Sequence, residues 1–372
     1  MSKSTKGSSK RLLTESSYKF LREYINTPSP TGFESGGQKL WLNYIKPFVD
    51  ETFTDAYGSA AGIINPNEPF KVVIEAHADE ISWFVNYISA DGLIYLKRNG
   101  GVDHQIAPGK RVLIHGKKGS VKAVFGWPAI HTRMGGGERK DPQPNVENLF
   151  LDCGAKNKKE VEMLGIHIGA VATYEEGYDE LAYDYLIGRA MDNRIGGFMV
   201  AEVARLLKAN KKKLPFALYV VNAVQEEIGL RGAEMIARRI KPDVAIITDV
   251  THDTTTPMVN KIIEGDVACG KGPSLAYGPA VHNKLLSVVE GVANKKKIPV
   301  QMRTVSRSTG TDTDSFAYAN DGCPSVLISI PLKYMHTTVE MLHKDDVEST
   351  IQLMYETLLA LTPKTNLSYF SN

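Results

Sequence analysis

Cysteine is scarce in this chain: Cys153, Cys269 and Cys323 are all that its 372 residues contain. They are odd in number, far apart and outside any paired motif. That excludes a disulfide framework and a thiolate metal site, and a reducing, cytoplasmic setting is expected. Charge of one sign is lacking too, since 44 lysines and arginines face 42 acids for a net charge of +2. No electrostatic footprint for a polyanion results, so nucleic acid is not expected as a partner. Long hydrophobic runs are also missing, for no segment nears the roughly 18 apolar residues of a membrane span. The opening MSKSTKGSSKR is basic and polar with no apolar stretch behind it. Residues 1–11 read as a disordered tail, a transit peptide being the competing reading, and no membrane partner is expected.

What is present reads as α/β. The length exceeds that of one ordinary hydrophobic core, so two domains or an insertion are expected. The spacing of Leu13, Tyr18, Leu21 and Ile25 predicts an amphipathic helix from Leu12 to about Ile25, ended by the Pro- and Gly-containing stretch 27–32. A second helical pattern sets Leu40, Tyr44 and Phe48 on one face. Ala60 to Ile64 reads as a short strand and a further one ends at His77. Between 80 and 187 the character changes to short alternating segments, ISWFVNYI, LIYLKR, RVLIHG and VKAVFG, separated by DG, NGG, PG and KKG turns. That is all-β punctuation. After Gly188, FMVAEVARLLKA and GAEMIARRI read as helices and FALYVVNAV and VAIITDV as strands. The expected organisation is an α/β domain, 12–79 with 188–372, carrying a β-barrel-like insertion at 80–187.

Four apolar runs stop at side chains capable of chemistry. VVIEA meets His77-Ala78-Asp79, the run from Leu214 meets Glu226-Glu227, VAIIT meets Asp249, and VLISI precedes His336. In open α/β sheets ligands bind outside the carboxyl ends of the strands, so these residues should converge. Each also has a plainer reading. His77 and Asp79 could be a satisfied pair, Asp192 or Asn193 a helix cap, and the two glutamates a solvated turn. Asp253 competes with Asp249, which is favoured as nearer the strand end, while His252 and His343 read as surface or loop residues. Gly196 and Gly197 would let the helix after Asp192 approach its neighbours closely. Taken together, imidazoles and carboxylates without cysteine suit zinc, cobalt or manganese, and a bridging carboxylate allows two metals about 3.5–4 Å apart. One of the adjacent glutamates could ligate while the other stays free to take a proton from water.

The motifs AHADE (76–80), GRAMDNR (188–194), EEIGLRGA (226–233), TDV (248–250), GKGP (270–273), GTDTD (310–314) and YMHTTVE (334–340) lie in order across almost the whole chain. In these the chain resembles the M42 metallopeptidases, cobalt- or zinc-dependent aminopeptidases that include glutamyl aminopeptidase and the tetrahedral, self-compartmentalising enzymes. The resemblance implies a three-layer α/β/α catalytic domain with an inserted dimerisation domain. It further implies two divalent metal ions, zinc or cobalt, held by His77, Asp192 and Asp249 and by Asp192, Glu227 and His336, with Asp192 bridging. Glu226 would be the general base for a water shared by the metals, Asp79 would orient His77, and Asp312 would stand behind the ligands. Short peptides would lose N-terminal residues, and dimers would assemble into dodecamers.

Lys333 stands where many relatives carry arginine, Thr337 where serine is frequent, and Ser82 where glycine is usual. Arginine and lysine are not equivalent at a bidentate contact, so Lys333 is a possible substrate contact that departs from the pattern. Lys271, Arg303, Arg307 and Lys333 hint at a basic pocket, though a preference for neutral residues is equally compatible. Two alternatives are a glycoside hydrolase using Glu226 and Glu227 and a non-catalytic oligomeric binding protein. The first needs two carboxyls facing one sugar across about 5–10 Å. The second should have lost Glu226 or Asp192, and both are present.

Overall fold

A computed structural model describes residues 11–135, 138–139 and 141–370. The expected disordered tail lies outside the described residues except for Arg11, whose guanidinium donates to Asp184 at 3.5 Å.

An eight-stranded sheet runs in the order Glu51–Thr54, Ala60–Ile64, Ala217–Ala223, Lys71–His77, Val244–His252, Ser325–Leu332, Ser274–Tyr277, Gln301–Thr304. The middle four are mutually parallel. They are the same apolar runs that end at candidate site residues. Strands covered on both faces read as continuous Val, Ile and Ala rather than alternating. Helix Met191–Ala209 packs on Lys71–His77 and Val244–His252, with Glu15–Asn26, Ser35–Ile45 and Lys344–Ala360 beside it. Arg231–Ile240 and Thr313–Ala317 pack together, the latter against Val244–His252 and Ser325–Leu332. The result is a three-layer α/β/α fold. No helix among the described residues is long and apolar enough to cross a membrane. All three cysteines are free.

The second helix is turned from its expected face. Trp41, Ile45 and Gln38 are buried, while Leu40, Tyr44 and Phe48 lie half-buried on its flank. The rotation is favoured because polar groups on the buried side find partners inside. Trp41 donates to the carbonyl of Gly197 at 2.8 Å, and Gln38 exchanges hydrogen bonds of 2.7 Å with the backbone and side chain of Asn222. Such groups can be buried only because they are paired, for a donor sealed from water without a partner carries its full desolvation penalty.

Six strands close a barrel in the order Phe150–Asp152, Ile94–Asn99, Ser82–Ile88, Val171–Tyr174, Arg111–Gly116, Gly119–Phe125. It has its own core, built on Trp83, Val85, Ile94, Phe125 and Leu151. After Tyr174 the chain leaves the barrel. Asp179–Leu181 pairs instead with Tyr185–Gly188, which pairs in turn with Glu340–His343. This small sheet places the chain entering Asp192 beside the chain leaving His336.

Gly196 shows how closely the central helix lies on the sheet, since a β-carbon there would sit 2.8 Å from the Cβ of Ala76 and 2.3 Å from Asn193 Oδ1. Gly196→Ala should destabilise the fold by about 1–3 kcal/mol through overpacking. A chemical denaturation midpoint equal to that of the wild type would contradict this.

Candidate metal centre

Local structure decides how each candidate is aimed. His77 is the last residue of its strand and pairs with Ala223. The strand of Asp249 does not stop there but runs on to His252. Its ladder with Ser325–Leu332 continues to the end, whereas pairing with the His77 strand ends at Ile247 opposite Glu75. Asp249 therefore projects from a strand that is open on the side facing His77. Glu226 and Glu227 are not on an extended strand either. That strand ends at Ala223, Gln225 adopts a left-handed conformation with φ of 58°, and Glu226–Ile228 forms one tight 3-10 turn. The turn is real but not solvated, as the two carboxylate side chains are 11% and 5% exposed.

The ambiguity between Asp192 and Asn193 resolves into two jobs. Both have non-helical backbone angles. Asn193 is the cap, its Oδ1 accepting from the Gly196 N–H at 3.2 Å and its Nδ2 donating to the Thr248 carbonyl at 2.8 Å. Asp192 is thereby left to face the crevice.

There Asp192 stands between the histidines, Oδ1 lying 3.2 Å from His77 Nε2 and Oδ2 lying 3.3 Å from His336 Nε2. Asp249 is 3.8 Å from His77 Nε2, and Glu227 is 3.4 Å from His336 Nε2. Donor atoms of His77, Asp192 and Asp249, and of Asp192, Glu227 and His336, lie within 4.8 Å of one another, as do those of His77, Glu226 and Glu227. Nitrogen and oxygen donors at such spacing fit divalent cations.

The protonation states point the same way. Burial pushes the Glu226 carboxyl up to about 10, with His77 opposing and Asp249, Asp312 and Glu227 reinforcing. Burial likewise lifts Asp249 to about 7. Although burial opposes it, Asp192 is held below the usual carboxylate range by hydrogen bonds from His336 and His77. His336 rises to about 12 against its own burial because Asp192 and Glu227 face it. Without a cation, protons must supply the positive charge that these carboxylates require.

Around this cluster stand residues that hold it. Asp79, fully buried, faces His77 Nδ1 with a carboxylate oxygen at 3.4 Å and its carbonyl at 3.3 Å. It also accepts from the backbone N–H groups of Glu226 and Glu227 at 3.0 and 3.2 Å and from the Thr31 hydroxyl at 2.9 Å. One carboxylate thus ties the histidine to the glutamate turn. Asp312 lies buried next to Glu75, and burial followed by the charge of Glu75 raises it well above the usual range. Burial lifts Glu75 to about 8. Glu75 was missed in sequence, although an acid inside VVIEA was its signal. Also missed were Glu340, which accepts from the N–H groups of Asp192 and His336, and Glu80, which is paired with Arg189. Both lie within motifs already recognised, and only their partners were invisible.

Other candidates fall outside. Asp253 accepts from the N–H groups of Cys269 and Thr255 and stabilises a loop. His343 caps the last helix by accepting from Asp345 N–H. Lys333 lies 3.9 Å from Asp253 and over the Tyr185 ring, outside the cavity wall. Of the four cations suspected of a basic pocket, Arg303 alone lines the cavity of about 430 Å³ that contains the cluster, with exposed His252 at its rim.

A crevice of imidazoles and carboxylates at the carboxyl edge of a parallel sheet is a metallohydrolase arrangement. The family of M42 glutamyl aminopeptidases matches residues 58–353, and the chain belongs to it. It is 31% identical to the lysyl aminopeptidase of Pyrococcus furiosus over 93% of this chain and 98% of the relative. To the glutamyl aminopeptidase of Lactococcus lactis it is 29% identical, over 74% and 76% of the two chains. Among solved structures, a TET aminopeptidase from a marine sediment archaeon of the Thaumarchaeota superposes with a TM-score of 0.89 at 30% identity, covering 94% of this chain and 98% of that one. The protein is accordingly a peptidase of the aminopeptidase type, in a family that is metal-dependent.

Asp79→Asn replaces one acceptor oxygen by an amide NH2 that confronts a backbone donor. If His77 holds a metal, peptidase kcat/KM should fall by about 10- to 100-fold, the usual scale for losing a group that orients a ligand. Wild-type kinetics in the folded variant would remove Asp79 from this role.

Proposed function

We propose that the protein is a binuclear metal-dependent aminopeptidase that removes N-terminal residues from short peptides. The observation carrying this reading is the position of Asp192, with one oxygen toward each histidine at 3.2 and 3.3 Å. His77, Asp192 and Asp249 would hold one divalent ion and Asp192, Glu227 and His336 the other, zinc or cobalt being best suited to the donors. Bound ions of this kind polarise a carbonyl and acidify water. Glu226 is the carboxylate left over for proton transfer. With cations bound beside it, the proton that this desolvated carboxyl otherwise holds would be released, and Glu226 would be free to take a proton from the attacking water and deliver it to the leaving amine. Glu226 and Glu227 sit on one turn, with Glu226 Oε2 3.8 Å from His77 Nε2 and Glu227 Oε1 3.4 Å from His336 Nε2, so that one would serve proton transfer while the other would help to hold the second ion.

Glu226→Gln should keep its metal content and lose about 10²- to 10⁴-fold in kcat, the usual scale of general acid–base catalysis. Chelation of the wild type should abolish peptide hydrolysis, and added zinc or cobalt should restore it. Full activity after exhaustive metal removal, or in the Gln variant, would sink the mechanism.

Arg303 supports a preference for acidic N-terminal side chains. Burial lowers its guanidinium pKa, Nη2 donates to Ser329 Oγ at 3.3 Å, and among the described residues buried Nε has no hydrogen-bond partner. A substrate carboxylate entering the cavity would satisfy it with a charge-assisted hydrogen bond. Arg303→Ala should lower kcat/KM for a glutamyl over a leucyl chromogenic substrate by about 10- to 100-fold. An unchanged ratio would refute that preference.

A homo-oligomer built from dimers, joined through the barrel, completes the proposal. The solved TET peptidase of Pyrococcus horikoshii, 26% identical with a TM-score of 0.80 over 91% of this chain and 98% of that one, is described as assembling into a tetrahedron or a large octahedral shell. Tyr87, Met163 and Ile168, each more than half exposed, supply apolar surface on the inserted region of this chain.

A further inference from the structure

The two proposed subsites are built differently. His77 is 1% exposed and anchored in the central sheet, whereas His336 is 32% exposed and sits in a loop with a left-handed backbone, φ 61°. No ladder fixes the His336 ring. What holds it comes from two other places in the chain.

The first is the barrel. Its strand Ile94–Asn99 ends in the turn Asn99-Gly100-Gly101, which reaches the crevice wall. The Gly101 carbonyl oxygen lies 3.1 Å from His336 Nδ1. A β-carbon on Gly101 would stand 2.7 Å from that nitrogen, and one on Gly100 would stand 3.2 Å from Glu227 Cβ. Buried Asn99 anchors the turn, donating to the Thr31 carbonyl and to Ser82 Oγ, both at 2.8 Å. The second is Glu340, 2% exposed, whose two oxygens accept from the N–H groups of His336 at 2.8 Å and Asp192 at 3.0 Å. An imidazole that donates Nδ1–H to a carbonyl presents the Nε2 lone pair to a metal. Nε2 is the atom that faces Asp192 and Glu227.

We infer that the inserted barrel completes the second metal subsite: the Gly101 carbonyl and the Glu340 carboxylate are positioning groups that set the tautomer and place of His336. The inference rests on the two-metal reading above. It gives the barrel a role within each chain, separate from any part in assembly. It also makes the Glu227–His336 subsite the one sensitive to movement of the barrel, while the His77–Asp249 subsite depends on the sheet.

The test is titration of the full-length, metal-free protein with cobalt chloride, followed by calorimetry and by visible absorption of the bound ion. Gly101 does not have a left-handed φ, so Gly101→Ala is compatible with the backbone and acts through the added methyl. The variant should bind the first equivalent as the wild type does and the second about 10- to 100-fold more weakly, the usual cost of losing a group that orients a ligand. The absorption contributed by the second equivalent should change, and excess cobalt should recover kcat. Asn99→Ala, which frees the same barrel turn, should act in the same direction and carries the test if Gly101→Ala does not fold. Glu340→Gln, where one N–H would meet an amide NH2, should also weaken the second equivalent and, through Asp192, affect the first. Gly291→Ala, where a β-carbon meets nothing within 4 Å, should bind both equivalents normally. Wild-type affinity for the second equivalent in folded Gly101→Ala, or in Asn99→Ala where the alanine variant at 101 does not fold, would overturn the inference while leaving the two-metal reading intact. A wild-type protein that binds one equivalent would remove that reading and the inference together.

Discussion

Carboxylates taken out of water at the end of a sheet repel one another, and this repulsion is the constraint around which the molecule is organised. Asp192, Glu226, Glu227 and Asp249 gather within reach of His77 and His336, with Glu75, Asp312 and Glu340 packed close behind. Burial raises most of these groups, and the two imidazoles become strong bases because acids surround them. A buried charge is tolerable only when it is paired, hydrogen-bonded or bound to a cation. The donor set is thus one whose repulsion a bound cation would relieve.

Holding such a cluster together demands rigidity from several levels of structure. The parallel ladders fix His77 and Asp249, and a left-handed residue at Gln225 redirects the chain so that two adjacent glutamates diverge. Asn193 satisfies the start of the long helix and leaves Asp192 unencumbered. Asp79 ties the glutamate turn to His77, and Glu340, 148 residues from Asp192 in the chain, ties Asp192 to His336. These ties are backbone N–H groups donating to buried carboxylates, which are stronger than neutral pairs and directional. The small sheet joining Tyr185–Gly188 to Glu340–His343 holds the two segments in register through backbone pairing alone.

Much of this was legible from residue order. Continuous apolar runs announced strands covered on both faces, and their endings marked the crevice, because a parallel sheet delivers its strand ends to one edge. The alternation of FMVAEV and FALYVV with turn-rich β segments separated the two folding patterns. Less legible was anything that depends on where a ladder stops. Asp249 was expected at a strand end but lies inside a strand, just beyond the point where its pairing with the His77 strand stops. The two glutamates were read where an apolar run stops, and they occupy a tight but buried turn, since the strand ends at Ala223. The second helix turned its Trp41 face inward to satisfy indole and amide groups, a choice that periodicity of apolar residues does not register.

By itself, the sequence determined the α/β character, the presence of a β-rich insertion, the donor types and the family, because these follow from local patterning and from short motifs whose residues are neighbours in the chain. Tertiary structure alone decided that Asn193 caps while Asp192 faces both histidines, and that Arg303 rather than Lys333 lines the cavity. It also decided that a turn of the barrel touches His336. Those outcomes depend on distances between residues up to 235 positions apart, set by sheet register and by which buried polar groups find partners.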